Sequence, residues 1–404
     1  MFEAVSRRQF DRREFLRRSS LACVSLFPLA CHTERLWARD TTNSDRLQES
    51  KPLSVPELST NRSVRNLPPV HVENNRELRT TVGLRPYRPS GFVVRAEKVN
   101  DTLVIHNYGH GGAGITLSWG TAQLAMQLGC DGYAGPVAVL GSGAVGMATA
   151  RMLQEAGFDV TIYTQALHPE TTSSVAGGEW RPFLVADPNK SDTGFNLQLA
   201  SASDFAYKRF QSMLGSQFGV RWITSYSVSK HAVSKTLPSG VQSISGGIVT
   251  EALDLKPDQT PFSPASAVRQ TSTMLIEPPT YLPAMMDAFL QASGTVVIRK
   301  IEDRSAIAQL PEKLVFNCTG MGAKDIFGDD ELTPVRGQLT FLKPQPEVDY
   351  AVSHDELYML PRTDGILLGG TYELGMNSIV PDMDKKREIL ARHKAFFDSY
   401  RKIG

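Results

Sequence analysis

The sequence predicts an α/β fold in which a Rossmann-type dinucleotide-binding unit is joined to a second, substrate-binding lobe. Three observations lead there. A strand, glycine loop, helix and strand follow one another within residues 136–163. The chain has 404 residues, too many for one small domain and enough for two or three closely associated lobes. Hydrophobic residues make up 41% and charged residues 21%, so a large core is available and global disorder is excluded.

The nucleotide unit opens at Pro136–Leu140, a short apolar run suited to a buried parallel strand. Gly141-Ser-Gly143-Ala144-Val145-Gly146 follows, then a helical stretch from Met147 to Ala156 with Gly157 as its stop. Residues 159–163 read as the next strand. Gly141 permits the tight turn, Gly143 lets backbone approach a pyrophosphate, and Gly146 lets helix and strand pack closely. The helix N-terminus then faces the phosphates. The second strand ends in Tyr163-Thr164-Gln165, without the acidic residue that usually meets a ribose; Gln165 offers a hydrogen bond without charge. These glycines alone do not choose between NAD and FAD.

Charge and cysteines exclude other classes. A net charge of +1 gives no global attraction for nucleic acid or anionic membranes. The four cysteines, Cys23, Cys31, Cys130 and Cys318, show no CxxC spacing, so neither a zinc ribbon nor a disulfide scaffold is indicated. No apolar run reaches the roughly 18–20 residues a membrane-spanning helix needs.

The first 31 residues read as an address. Arg7-Arg8, Arg12-Arg13 and Arg17-Arg18 precede an uncharged stretch from Ser19 to Cys31, which is signal-peptide order. Arg12-Arg13-Glu14-Phe15-Leu16 resembles a bacterial twin-arginine export signal; the plainer reading is a basic amphipathic helix. Leu29-Ala30-Cys31 is similar to a lipoprotein processing site, with Pro28 where an aliphatic residue is usual. The expectation is an exported protein, periplasmic or anchored through Cys31, with the export machinery as partner. Residues 32–76, rich in Ser, Thr, Asn, Arg and Pro, read as a disordered tether, with the globular unit starting near Glu77.

A family resemblance then appears. His106-Asn107-Tyr108-Gly109-His110-Gly111-Gly112-Ala113-Gly114, continuing to Ala122, closely resembles the signature of the D-amino-acid oxidase family. Gly83–Pro89, Thr171–Trp180, Asn317–Gly320, Arg336–Gln338, Tyr358–Arg362 and Gly369–Gly375 resemble further family segments, so the likeness runs over about residues 78–404. The order is changed: in the usual arrangement the glycine loop opens the chain, whereas here residues 78–130 precede it. The sequence therefore looks circularly permuted. The expected division is a segment at 77–135 shared by substrate and flavin, an FAD-binding unit at 136–200, substrate-domain segments at 201–290 and 336–404, and a return to the FAD domain at 291–335. In such a permutation the helix running towards Gly404 leads back to Glu77, and residues 130–135 form a short surface join.

The resemblance implies FAD as cofactor and assigns roles. Arg85, by itself a charge in a turn beside Pro86, matches the arginine that holds the substrate carboxylate, as a guanidinium fork suits. Tyr358, otherwise an ordinary strand aromatic, supplies a hydroxyl to that carboxylate. Gly112 matches the position whose carbonyl receives the substrate amine. His354 lies near a second substrate tyrosine of the family and either alters side-chain specificity or is solvated. Gly141, Gly143, Ala144, Val145, Gly146 and Gln165 belong to the nucleotide loop. Thr171, Thr172 and Ser173 suit phosphate or ribose, Ile301 and Thr319 the adenosine side and phosphates. Gly111, Gly114, Thr116, Gly177, Gly178 and Trp180 border the flavin ring. Glu179 replaces an apolar residue. His106 and His110 have i, i+4 spacing, but the intervening glycines argue against a helix and so against a metal pair.

The implied reaction is oxidative deamination of a D-amino acid: a hydride leaves Cα for the flavin, the imino acid hydrolyses to a 2-oxo acid and ammonia, and molecular oxygen reoxidises the flavin to give hydrogen peroxide. The alternatives are a flavin dehydrogenase for another amine or amino acid that uses a different acceptor, and a flavin-containing amino-acid sensor without turnover.

Overall fold

Strands of two to eleven residues fall into two sheets, and the chain passes between them repeatedly. In this computed structural model the described residues are 66–229, 252–256, 260–262 and 265–400. The expected signal at 1–31, residues 32–65 of the expected tether, Cys23, Cys31 and Gly404 lie outside them. Strand β1 (Glu77–Tyr87) belongs to the larger sheet. Strands β2 (Val93–Val99), β3 (Thr102–Tyr108), β4 (Val137–Leu140) and β5 (Val160–Thr164) build the smaller one. The chain returns to the larger sheet for β6 (Val220–Ser229), β7 (Ala252–Leu255) and β8 (Ala267–Ile276), then to the smaller for β9 (Thr295–Ile298) and β10 (Leu314–Asn317). It ends in the larger sheet with β11 (Thr333–Leu342), β12 (Tyr350–His354), β13 (Leu357–Arg362), β14 (Gly365–Gly369) and β15 (Glu373–Leu374).

The smaller sheet has the order β2-β3-β10-β4-β5-β9, parallel throughout except for β2. All four residues of β4 and of β10 are buried, as a parallel strand covered on both faces requires. Helix α1 (Gly114–Gly129) crosses from β3 to β4, and α2 (Ala144–Glu155) from β4 to β5. The α2 helix begins three residues before Met147, the start read from sequence, because Gly143 O already accepts the Met147 N–H at 2.9 Å. α1 is apolar on most of its circumference because it packs against both α2 and α3 (Thr193–Gln211). Its Trp119 Nε1 donates to the Tyr281 hydroxyl of α4 (Pro278–Gln291) at 2.9 Å.

The larger sheet runs β1-β11-β14-β13-β12-β6-β8-β7, with β15 on β11. Alternation along its strands sorts side chains to two faces. Tyr226, Tyr350, Val352, Met359, Ile366 and Leu368 pack beneath α7 (Met383–Asp398), while Ile223, Leu339, Ala351, Leu360 and Leu367 form a second cluster on the other face. Two short helices, α5 (Arg304–Ala308) and α6 (Gly322–Phe327), complete the set used below.

Several sequence boundaries shift. Val70 and Val72, placed in the tether, are buried with Phe397 and Ile389 of α7, and Tyr350 Oη donates to Pro68 O at 2.7 Å. The packed chain therefore starts before Glu77, because two valines in a polar stretch suffice to seal the α7 side of the sheet. The cut at 200/201 falls inside α3 and the cut at 335/336 inside β11. Segment 77–135 divides between the sheets, β1 going to the larger and β2, β3 and α1 to the smaller. Residues 130–135 connect α1 to β4 with Asp131, Gly132 and Ala134 exposed and Cys130 buried. The two ends of the described chain are neighbours: Lys386 of α7 pairs with Glu77 at 2.9 Å, and the Tyr400 and Tyr350 hydroxyls lie 3.0 Å apart.

Candidate active site

The carboxyl ends of the parallel strands all empty into one cavity of about 1290 Å³. Open α/β sheets bind ligands at this edge, and the residues just past each strand line it: Gly109 after β3, Gly141 after β4, Gln165 after β5, Arg299 after β9 and Cys318 after β10. The larger sheet closes the far side with Arg85 of β1, Leu339 of β11, Ser353 of β12 and Tyr358 of β13.

At the nucleotide end, Gly143 is the N-cap of α2 and supplies no side-chain cap. The N–H groups of the first turn thus point out without helical partners, an anion site by construction. The hydroxyl of Ser173 accepts from the Ala144 N–H at 3.0 Å, placing the 171–173 segment over the same helix end. Thr319 stands opposite, its hydroxyl donating to Asn317 Oδ1 at 2.7 Å. Ala144, Val145, Thr171, Thr172, Ile301 and Thr319 all line the cavity, as does the exposed Gln165. Gly146 does not: a Cβ there would lie 2.0 Å from Gly141 O, so this glycine serves helix–strand contact.

At the other end, Gly111, Gly112, Gly114 and Thr116 line the wall opposite Gly177 and Gly178. Gly111 has φ +56, and a Cβ would sit 1.9 Å from Leu184 O, so only glycine fits between the two segments. Arg85 lies on a strand rather than in a turn. Its guanidinium passes over Gly337, donates to Thr371 O at 3.3 Å and lies beside the Tyr358 hydroxyl. It has no carboxylate partner among the described residues. Burial raises the Tyr358 phenol above its ordinary value, with Arg85 opposing the shift, so the hydroxyl stays protonated in the neutral range.

Two expected site residues face elsewhere. In the β12–β13 hairpin Ser353 pairs with Tyr358 and His354 with Leu357, so His354 projects from the opposite face to Tyr358. His354 borders the cavity's outer end, but its ring stacks on Phe396 with centroids 3.7 Å apart and its Nε2 lies 3.1 Å from His393 Nδ1. It is buried, neither solvated nor turned to the Arg85 chamber. Trp180 turns into the core and meets Tyr207 edge-on at 4.8 Å, leaving the cavity wall to Glu179. His106 and His110 are separately engaged, His106 between Glu97 and Asn317 and His110 with Thr121.

Sequence reasoning did not single out Arg299, Lys300 or Glu170 at the adenosine end, nor Ser225, which holds Glu179. The strand-end rule finds Arg299 once β9 is placed; Ser225 carries no local signal.

The family model for FAD dependent oxidoreductases of the DAO type matches residues 136–403. The chain belongs to this family. It is 30% identical over 269 residues to a D-amino-acid oxidase of Streptomyces coelicolor, covering 64% of this chain and 76% of that one. A human D-aspartate oxidase is 28% identical over 264 residues, covering 63% and 74%. Among solved structures, a glycine oxidase from Bacillus cereus aligns with a TM-score of 0.49 at 13% identity, over 64% of this chain and 77% of that chain. An FAD-bound L-α-glycerophosphate oxidase from Mycoplasma pneumoniae gives 0.49 at 16% identity, over 66% and 79%. The protein is thus an FAD-dependent oxidoreductase of the amino-acid oxidase type, with a mixed-sheet α/β fold. The α2 N-terminus, the glycine-lined walls and a cavity of about 1290 Å³ suit FAD.

Proposed function

We propose that the protein oxidatively deaminates D-amino acids to 2-oxo acids and ammonia, with molecular oxygen as final acceptor and hydrogen peroxide as product. One observation carries this reading: Arg85 lines the cavity beside Tyr358 with no described carboxylate to neutralise it. A guanidinium with a neighbouring phenol is suited to a substrate carboxylate. FAD supplies the two-electron chemistry. The chain's own part is to orient the substrate: Arg85 and Tyr358 hold its carboxylate, the Gly112 carbonyl accepts from its amine, and Cα is thereby aimed at the flavin wall formed by Gly111, Gly114, Thr116, Gly177 and Gly178. The α2 first turn, Ser173, Thr171, Thr172 and Thr319 would hold the pyrophosphate; Ile301, Gln165, Arg299 and Lys300 would hold the adenosine end.

Two further parts of the reading concern the whole chain. A circular permutation is supported by the contact between the described ends and by the family match beginning at 136 although β1–β3 complete both sheets. Export through the twin-arginine route, to the periplasm or to a lipid anchor at Cys31, rests on the arginine pairs. No helix among the described residues is long and apolar enough to cross a membrane.

An anaerobic screen of flavin bleaching against D- and L-amino acids, followed by admission of air, tests the activity. Bleaching by D-amino acids and return of colour with stoichiometric peroxide are expected. Bleaching only by L-amino acids or other amines refutes the substrate class, and failure of air to restore colour refutes oxygen as acceptor. For export, Arg12→Lys with Arg13→Lys is expected to retain folded, yellow protein in the cytoplasm; normal export would reject the twin-arginine reading.

A further inference from the structure

Glu179 is a carboxylate in the wall of the cavity whose charge the structure leaves uncompensated. Its backbone is fixed on both sides: Ile276 N–H donates to Gly178 O at 2.8 Å, Trp180 N–H to Met274 O at 2.7 Å, and Thr273 Oγ1 to Trp180 O at 2.8 Å. These bonds tie the segment to β8 in an isolated antiparallel bridge between Glu179 and Leu275. In an extended segment neighbours point to opposite sides, so with Trp180 packed in the core Glu179 must face the cavity. One carboxylate oxygen accepts from Ser225 Oγ at 2.8 Å. No lysine, arginine or histidine pairs with it among the described residues. Ser225 lies two residues from Ser227, which pairs with Ser353 and through it with Tyr358, so Ser225 and the carboxylate it holds sit on the Tyr358 face of the larger sheet, the face that carries the Arg85 chamber.

The chamber is therefore bipolar, with an unpaired guanidinium and a half-satisfied carboxylate on one cavity wall system. Asp355 and Glu356, in the β12–β13 turn, add acidic character to the outer rim. Of the other cations lining the cavity, Arg299 and Lys300 follow β9, Lys324 donates to Leu332 O at 3.0 Å, and Arg181, two residues from Glu179, is exposed with its guanidinium 5.8 Å from the Phe183 ring centroid; none forms an ion pair with Glu179 among the described residues. A partly buried carboxylate in a cavity wall is stabilised by a cation that meets it there. We propose that Glu179 is a specificity-determining residue that receives a cationic group at the far end of the substrate side chain, so that the preferred substrates are D-amino acids carrying an ammonium or guanidinium. This rests on the D-amino-acid reading above and sharpens it.

Two ratios test the assignment on the FAD-loaded enzyme. The first is kcat/KM for D-lysine over D-norleucine, whose four-carbon side chains match and which differ in the terminal amine that lysine adds. The second uses no turnover: the affinity for 6-aminohexanoate over hexanoate, measured by calorimetry. Both ligands carry the carboxylate for Arg85 and lack the α-amine. Both ratios are expected to exceed about ten in the wild type, the scale of one well-placed charge pair, and to fall at least tenfold in Glu179→Leu. Glu179→Gln keeps the shape and the Ser225 bond, and serves if the leucine variant loses its flavin. Ratios near one in the wild type, or ratios unmoved by both substitutions, overturn the proposal. If neutral D-amino acids are oxidised and the ratios are one, the cation site fails alone. If the affinity ratio behaves as stated and no D-amino acid bleaches the flavin, the cation site stands and the D-amino-acid reading fails.

Discussion

Replacing Arg85 by leucine removes the charge on which the substrate reading depends. The guanidinium is half-buried on β1, lies across Gly337 and donates one long bond, 3.3 Å, to Thr371 O. Because no carboxylate among the described residues shares it, its charge is available to an anionic ligand. Truncating one partner of a desolvated charge pair costs about 2–5 kcal/mol, so kcat/KM on the best D-amino acid should fall roughly 30-fold to several thousand-fold. Arg85→Lys should recover only part of this, since an ammonium keeps the charge and loses the fork. Bound flavin, read from its visible absorbance, should stay near the wild-type level, because the α2 end and the 171–173 segment belong to other elements. Turnover of Arg85→Leu within about threefold of wild type, a difference below 1 kcal/mol, would refute the carboxylate assignment.

Other substitutions probe the remaining walls. Tyr358→Phe should lower kcat/KM by roughly 10- to 150-fold, the range for one hydrogen bond to a charged group; because burial raises the Tyr358 phenol, its ionisation should add no alkaline loss of activity below pH 10. Gly146→Ala would put a Cβ 2.0 Å from Gly141 O, so the soluble yield of flavin-loaded protein should drop sharply while Gly157→Ala, with open space around its Cα, should not match that loss. Burial pushes the His110 and His393 imidazoles down to about 3, so the unfolded chain binds more protons than the folded one between roughly pH 6.5 and 3. Their contribution is full above pH 6.5 and is lost as pH falls towards 3; the melting temperature should decline over that window, and His110→Asn should flatten the decline.

Local chemistry made the β4–α2–β5 unit readable, since a glycine loop between an apolar run and a helix has one economical solution. The resemblance at 106–122 implied the flavin wall, and the resemblance at 83–89 implied the role of Arg85. The larger sheet was harder, because β1 pairs with β11 across more than 240 residues and nothing near Glu77 announces that partner. His354 shows the same limit at short range. The turn that sets its register is Asp355-Glu356, both at positive φ, 42° and 68°, where Asn-Gly or Asp-Gly is the usual signal. Without that signal the pairing of Ser353 with Tyr358 is invisible, and so is the turning of His354 towards α7. Trp180, which the resemblance sets beside the flavin ring, is turned into the core by the bonds to β8, and Glu179 beside it faces the cavity.

The weave of the chain explains why the site cannot be divided by sequence. The family match starts at residue 136, yet Arg85 and Gly112 lie before it. β1 carries Arg85 into the larger sheet; five residues after its end β2 enters the smaller, and β3 delivers Gly109–Gly112 to the cavity. One short segment thus supplies both Arg85 and the Gly109–Gly112 stretch of the cavity wall, and their relative position is fixed by two sheets at once. Moving such a segment from the end of the chain to its beginning changes no contact, provided the old ends can be joined and the new ends stay together. The new ends do: Glu77 meets Lys386, and Pro68 is linked through the Tyr350 hydroxyl to Tyr400. Under the proposed permutation these contacts take over from the covalent connection, and the α1–β4 join at 130–135, with most of its residues at the surface, is where the former chain start would be stitched in.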